Sequence, residues 1–321
     1  MHVLSVSSLK GGVGKTTVAL GLASAAFSSG LRTLVVDLDP QCDATTGLGA
    51  IGEFSETVAD VLQTPQHNIV HRAIVSSTWT KLHPGTMDVM VGSPKTQSFD
   101  HPAPTIGEIW KLEIALAKLE REYDLVIIDT PPSINGLTRT AWVASDRVII
   151  VSEPALFSAV AAERSLHALE ELRKNLTPRL GTLGILINRF RPQSSEGDYR
   201  LSELRERYGT KILPQVLEER TVLQQAQGAG RPIHSWPGQS AIEVAQVFDR
   251  VLEFAQQSLG QKVGSRPGKQ SRKVLRLNRV LRGQSIDDVL KAEAEETKLQ
   301  LELGDESITH QPALHQESSE Q

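Results

Sequence analysis

The sequence predicts an α/β protein: a doubly wound, mostly parallel sheet flanked by helices. Three observations carry this expectation. Leu125-Val126-Ile127-Ile128-Asp129, Thr33-Leu34-Val35-Val36-Asp37 and Arg147-Val148-Ile149-Ile150-Val151 are apolar runs without polar alternation, the pattern of strands covered on both faces. Helical patterns lie between these runs, and strands alternating with helices imply parallel pairing through right-handed crossovers. Finally, the glycine-rich stretch Ser8-Leu9-Lys10-Gly11-Gly12-Val13-Gly14-Lys15-Thr16-Thr17 joins the first strand, Val3 to Val6, to the first helix.

In chain order, a helix is expected from Val18 to Ser29, with Leu20, Leu22, Ala23 and Ala26 apolar and Gly30 ending it. The strand from Thr33 to Asp37 follows. Asp43 to Gly52 reads as a loop rich in Thr and Gly, Thr57 to Leu62 as a helix, and Met87 to Val91 as a short strand. Gly92 to Pro104 reads as irregular. A helix over Ile109 to Tyr123 carries Leu112, Leu116 and Leu119 on one face, ahead of the strand Leu125–Asp129. Beyond Arg147–Val151, a long helix from Ala159 to Asn175 separates it from the strand Leu183–Ile187. Lys211-Ile212-Leu213 reads as a short strand before Pro214, and helices over Val222–Gln227 and Ala241–Leu259 close the domain.

Composition changes near Gly260. Lys262 to Arg282 holds eight lysines and arginines and no acidic residue; beyond Ser285 the chain turns acidic, then Ser-, Gln- and Glu-rich. The division expected is a nucleotide-binding domain over 1–260 and a basic-then-acidic, largely flexible tail over 261–321, with a short helix from Ile286 to Leu303. A net charge of −4 means that nucleic-acid binding has to come from a local patch rather than the field of the whole protein. The single cysteine, Cys42, excludes an internal disulfide framework and a multi-cysteine metal site. No run of eighteen apolar residues occurs and the chain enters a strand directly, so a reducing cytoplasm is the expected compartment.

The glycine turn is suited to phosphate. Gly11, Gly12 and Gly14 permit backbone torsions closed to other residues, and a helix N-terminus beyond them offers unpaired N–H groups and partial positive charge. Lys15 is placed to reach β- and γ-phosphates and the Thr16 hydroxyl to bind Mg²⁺, with the backbone of Val13 and the residue Thr17 completing the cradle. The usual G-x-x-x-x-G-K-[ST] pattern fails at its first position, Leu9, and a second lysine, Lys10, stands beside it. This variant, K-G-G-V-G-K-T, is the deviant Walker A motif, and the chain resembles the ParA/MinD group of P-loop ATPases (SIMIBI type) over about residues 2 to 258. The resemblance implies ATP and Mg²⁺ as cofactors and a homodimer closed face to face around two nucleotides. It also implies that Lys10 touches the phosphates held by the opposite subunit, as an arginine finger would.

Strand-end carboxylates complete the reading. Asp129, followed by Thr130-Pro131-Pro132, stands where a P-loop ATPase holds Mg²⁺ through water. Asp37 and Asp39, two apart, lie on one side of an extended segment. The resemblance gives Asp39, in Asp39-Pro40-Gln41, the hydrolytic role, which for so weak a base is orientation of the attacking water, along with a part in the metal site. Family members continue D-P-Q-G-N-A-T; here Cys42 replaces glycine and Asp43 asparagine. The resemblance also sets Asn188 against the adenine edge and Pro214 in the turn that completes that pocket, and it matches Gly230-Arg231-Pro232-Ile233.

Two functions follow from the resemblance. In the first, a partition ATPase of the ParA type binds DNA nonspecifically as an ATP-dependent dimer on the nucleoid. A ParB-like adaptor stimulates hydrolysis, and the cargo is a chromosome, a plasmid or a protein assembly. Arg189, Arg191 and Arg220 are the candidate DNA contacts. The alternative is a MinD-like ATPase that binds membrane through an amphipathic helix. Val274, Leu275, Leu277, Val280 and Leu281 among basic residues offer only a short one, without Trp or Phe, so membrane binding is the weaker expectation. Iron–sulfur redox chemistry, used by a third group with the same loop, is excluded by the single cysteine.

Overall fold

The computed structural model describes residues 1–260. The basic stretch Lys262–Arg282, the helix expected over Ile286–Leu303 and the rest of the tail lie outside the described residues. β1 (His2–Ser7) leads through the glycine turn into α1 (Lys15–Ser28), then β2 (Thr33–Asp37), α2 (Asp43–Gly47), α3 (Val58–Gln63), α4 (His67–Arg72), β3 (Ile74–Ser76) and β4 (Met87–Met90). α5 (Ile106–Ile109), α6 (Lys111–Leu116), β5 (Leu125–Asp129), α7 (Gly136–Ala144), β6 (Arg147–Ser152) and α8 (Leu156–Asn175) follow. β7 (Gly181–Phe190), α9 (Ser195–Tyr208), β8 (Ile212–Glu218), α10 (Thr221–Gly228) and α11 (Gln239–Gly260) end the fold.

One eight-stranded sheet runs in the order β3-β4-β2-β5-β1-β6-β7-β8. Only β3 is antiparallel, pairing with β4 at one edge. β1 lies between β5 and β6, so the turn after it opens at the centre of the sheet's C-terminal edge, where chain connections diverge to either side. Period-two alternation distributes the apolar strands between two covers: Leu4, Val6 and Val35 face one core with α1 and α11, while Val3, Leu34 and Val36 face the other with α3 and α6. At the sheet's opposite, N-terminal edge, Arg147 donates from Nε and Nη2 to the hydroxyl and carbonyl of Ser258, anchoring the last turn of α11.

The expected strands are present, with differences at their margins. α1 begins at Lys15 rather than Val18, because Gly14, in the left-handed region, reverses the chain directly into the first turn. The expected loop from Asp43 starts instead with the single turn of α2. The expected helix from Ile109 to Tyr123 is broken into α5, which starts earlier at Ile106, then α6 and a 3₁₀ turn over Ala117–Leu119. Part of the irregular stretch is a 3₁₀ segment, Pro94–Phe99, capped by Ser93. β7 continues past Ile187 to Phe190, and β8 runs on through Pro214 to Glu218. Pro214 therefore does not follow the strand; it lies exposed within an edge strand, where a residue without N–H is tolerated.

Gly21 on α1 packs against the fully buried Phe248 ring of α11, and a Cβ there would fall 2.1 Å from a ring carbon. Gly21→Ala is expected to destabilise the protein by about 1–2 kcal/mol despite alanine's better helix propensity, since a packed ring must shift. Denaturant melts check this, and Phe248→Leu in the same chain should recover part of the loss.

Candidate nucleotide site

The phosphate cradle begins with two glycines in the left-handed region, Gly12 at φ 76° and Gly14 at φ 91°. A Cβ on Gly14 would sit 2.4 Å from the Asn188 amide nitrogen. That amide is buried and donates to the Val13 carbonyl at 2.7 Å, so β7 grips the turn from the side. α1 starts without a side-chain cap and with no acidic residue in its first turn. Its first N–H groups therefore face the cradle with their electropositive character intact. Lys15 is buried, and that burial holds its ammonium below the usual lysine range, against the pull of Asp129 and Asp39. Thr17 reaches the other way, donating to Gln227 of α10.

β2 and β5 end in Asp37 and Asp129, which are register partners on adjacent strands. Both carboxyls are fully buried. The Thr16 hydroxyl donates to Asp129 Oδ2 at 2.6 Å, leaving Oδ1 buried without a partner. Burial, then the charge of Asp37, raises the Asp129 carboxyl well above the carboxylate range, with Thr16 and Lys15 opposing. Asp37 Oδ2 accepts from both the N–H and the hydroxyl of Thr45 at 2.7 Å, and Thr45 Oγ1 in turn accepts from the Gly92 N–H at 2.8 Å. Burial pushes Asp37 up to about 6 even so. Asp39 is raised by burial, while the Gln41 N–H and Lys15 oppose. An orphaned carboxylate oxygen beside a threonine hydroxyl is a hard-oxygen set that fits Mg²⁺. Because Mg²⁺ keeps waters and shares phosphates, it needs no all-protein cage. Among the described residues, no group of three or more His, Cys, Asp or Glu side chains forms such a cage.

Cys42 supplies the N-cap of α2 at φ 58°, the left-handed conformation that a glycine would occupy freely. Its thiol is pushed up to about 11 by burial and by Asp37, Asp39 and Asp43, which suppresses thiolate chemistry.

Lys10 stands apart from the cradle. Its ammonium donates to Glu153 at 2.7 Å and to Ser158 at 3.4 Å. The three candidate DNA arginines all lie near the C-terminal ends of β7 and β8, and each is engaged by carboxylates. Arg189 pairs with Glu153 at 3.3 Å, Arg191 with Glu219, and Arg220 with Glu218 at 2.6 Å and Glu243 at 3.7 Å. Pro214 lies within β8, which runs on to Glu218, rather than in a turn after the strand. Sequence reasoning misses Thr45 and Glu153. The first is visible in Ala44-Thr45, which agrees with the family continuation. The second directly follows an apolar strand, one residue further on than Asp37 and Asp129.

Asp37, Asp39 and Asp129 all titrate above unfolded carboxylates, so the folded apoprotein holds their protons more tightly. The contribution of Asp37 to stability is full below about pH 4 and is lost as pH rises through about 6, and those of Asp39 and Asp129 change in the same direction. Asp37→Asn should flatten this dependence and stabilise the apoprotein at pH 7 by about 1–3 kcal/mol, read from denaturant midpoints across pH. Cys42→Val should cost about 1–3 kcal/mol, because a β-branched side chain resists positive φ, whereas Cys42→Gly should not destabilise.

Residues 1–182 match the family model described as an AAA domain. The chromosome-partitioning ATPase Soj of Thermus thermophilus is 32% identical over 231 residues, 72% of this chain and 86% of that protein. The sporulation initiation inhibitor protein Soj of Bacillus subtilis is 29% identical, covering 72% of this chain and 89% of its own length. A Cyanothece McdA variant solved in complex with ATP superposes with a TM-score of 0.67 at 22% identity over 83% of this chain and 99% of that one, a likeness of fold. With the glycine turn, the capless helix and the paired strand-end aspartates in place, these matches make the chain a member of the ParA/Soj family of P-loop ATPases.

Proposed function

We propose that this ATPase is a partition-type switch: two copies close around two ATP molecules, the dimer binds DNA without reading sequence, and hydrolysis stimulated by a ParB-like adaptor releases it. One observation carries the reading. Lys10 flanks the phosphate cradle, yet its ammonium turns away to Glu153, so its charge is not committed to its own nucleotide. The division of labour follows from chemistry. Lys15 and the N–H groups of α1 hold the phosphates, and Thr16 with Asp129 holds Mg²⁺, which supplies charge neutralisation at the phosphates when bound. Asp39, tied to Lys15 electrostatically, orients the attacking water. Asn188 secures the turn through its amide, and its side-chain oxygen, not used in that bond, is the group assigned to the adenine edge.

Polyanion binding is assigned mainly to Lys262–Arg282, an acid-free run of eight cations in the sequence. Arg189, Arg191 and Arg220 contribute only where phosphate displaces their carboxylate partners. The working compartment is the cytoplasm, on the nucleoid. No helix of the described residues is long and apolar enough to cross a membrane.

Asp39→Ala should bind ATP and dimerise but hydrolyse at least about a hundredfold more slowly, while Lys15→Ala should lose binding itself. Lys10→Ala should bind nucleotide yet sediment as a monomer with ATP and Mg²⁺. A fully active ATP-dependent dimer of Lys10→Ala would remove the dimer reading. Truncation after Gly260 should weaken binding to random duplex and reduce the log–log salt slope by about 0.9 for each phosphate no longer neutralised, leaving ATP hydrolysis intact. An unchanged slope would place the DNA-binding surface elsewhere, and binding only to anionic vesicles would favour the membrane ATPase.

A further inference from the structure

Glu153 is the first residue beyond β6, and its side chain is 20% exposed. One carboxylate oxygen accepts from Lys10 at 2.7 Å and the other pairs with Arg189 at 3.3 Å. A single negative charge thus joins the turn after β1 to the end of β7, where Arg189 holds a strained φ of 56°. The arrangement has more positive than negative charge, so the two cations share one carboxylate, one on each oxygen.

We propose that Glu153 is a latch that holds Lys10 inside the single subunit and sets the threshold for ATP-dependent pairing. The inference rests on the proposed role of Lys10 toward a partner's nucleotide. Lys10 cannot hold Glu153 and a phosphate of another subunit together, so each dimer that forms breaks two latches. Arg189 makes the release possible at low cost. When Lys10 leaves, the half-buried carboxylate keeps a cationic partner instead of standing unpaired. Removing the acid and removing the arginine therefore act in opposite directions: the first weakens the hold on Lys10, and the second gives Lys10 sole possession of Glu153.

The test uses the full chain with Mg²⁺ and the non-hydrolysable analogue AMPPNP, and reads the monomer–dimer dissociation constant by sedimentation. A partly exposed ion pair is worth about two- to fivefold, and two are broken per dimer. Glu153→Gln is thus expected to tighten pairing about four- to twenty-five-fold. Arg189→Gln should loosen it, an independent change of opposite sign should Glu153→Gln fold poorly. Glu219→Gln makes the same charge change beside Arg191 without touching Lys10, and should leave pairing within about twofold. The latch is overturned if Glu153→Gln pairs like the unmodified chain, if Arg189→Gln tightens pairing, or if Glu219→Gln shifts it as far as Glu153→Gln. An unmodified chain that stays monomeric overturns the dimer reading and the latch with it; one that pairs while Glu153→Gln is unchanged overturns the latch alone.

Discussion

Two carboxylates end neighbouring strands at the middle of an apolar sheet, and the rest of the site is organised by the need to tolerate them. Asp37 and Asp129 are register partners, both fully buried, each with one oxygen that has no partner. Taking such groups out of water costs several kcal/mol unless they are paired, hydrogen-bonded or protonated. Thr45 binds the first and Thr16 the second, while Lys15 supplies positive charge nearby at the expense of its own basicity. Apoprotein protonation and bound cation are alternative answers to the same electrostatic problem. Protons and a cation compete for the same carboxylate oxygens, so binding the cation releases protons.

That constraint also explains how the loop after β2 is coupled to the rest. Asp37 holds Thr45, Thr45 holds Gly92, and the short path from Asp37 to Asp39 is closed by the left-handed turn at Cys42. A nucleotide that changes the charge balance at Asp129 and Asp39 acts on residues already tied into α2. The opposite edge of the sheet has a different task. Arg147 secures the end of α11 there, at the pole remote from the phosphate cradle.

The fold is legible in the sequence because its signals are local. Leu125 to Asp129 is apolar without alternation, and only a strand covered on both sides accommodates that pattern. Glycines beside Lys15 and Thr16 have few other uses than a phosphate turn, so the cradle is readable as well. What escapes depends on distant neighbours. The helix expected from Ile109 breaks because Trp110 and the residues of α5 and α6 pack on different parts of α7, which periodicity does not report. Asn188 reads as following a strand but lies within it, spending its amide on Val13; the extension of β7 is set by pairing with β8 rather than by its own composition. The partners of Arg189 and Arg191 are equally invisible, since Glu153 is 36 residues from Arg189 and Glu219 is 28 from Arg191. Arginines that read as free surface charge in sequence become, in space, a set of ion pairs.

The buried aspartates suit a magnesium-bound nucleotide rather than phosphate alone. The shift in melting temperature at pH 7.5 caused by saturating ATP with Mg²⁺, compared with ATP in EDTA, measures that preference. A large shift is expected only with Mg²⁺, because without the cation the γ-phosphate confronts Asp39 and Asp129 directly. Asp129→Asn should narrow the difference between the two conditions. Equal shifts with and without Mg²⁺ in the unmodified protein would mean that the aspartates are not there for the cation.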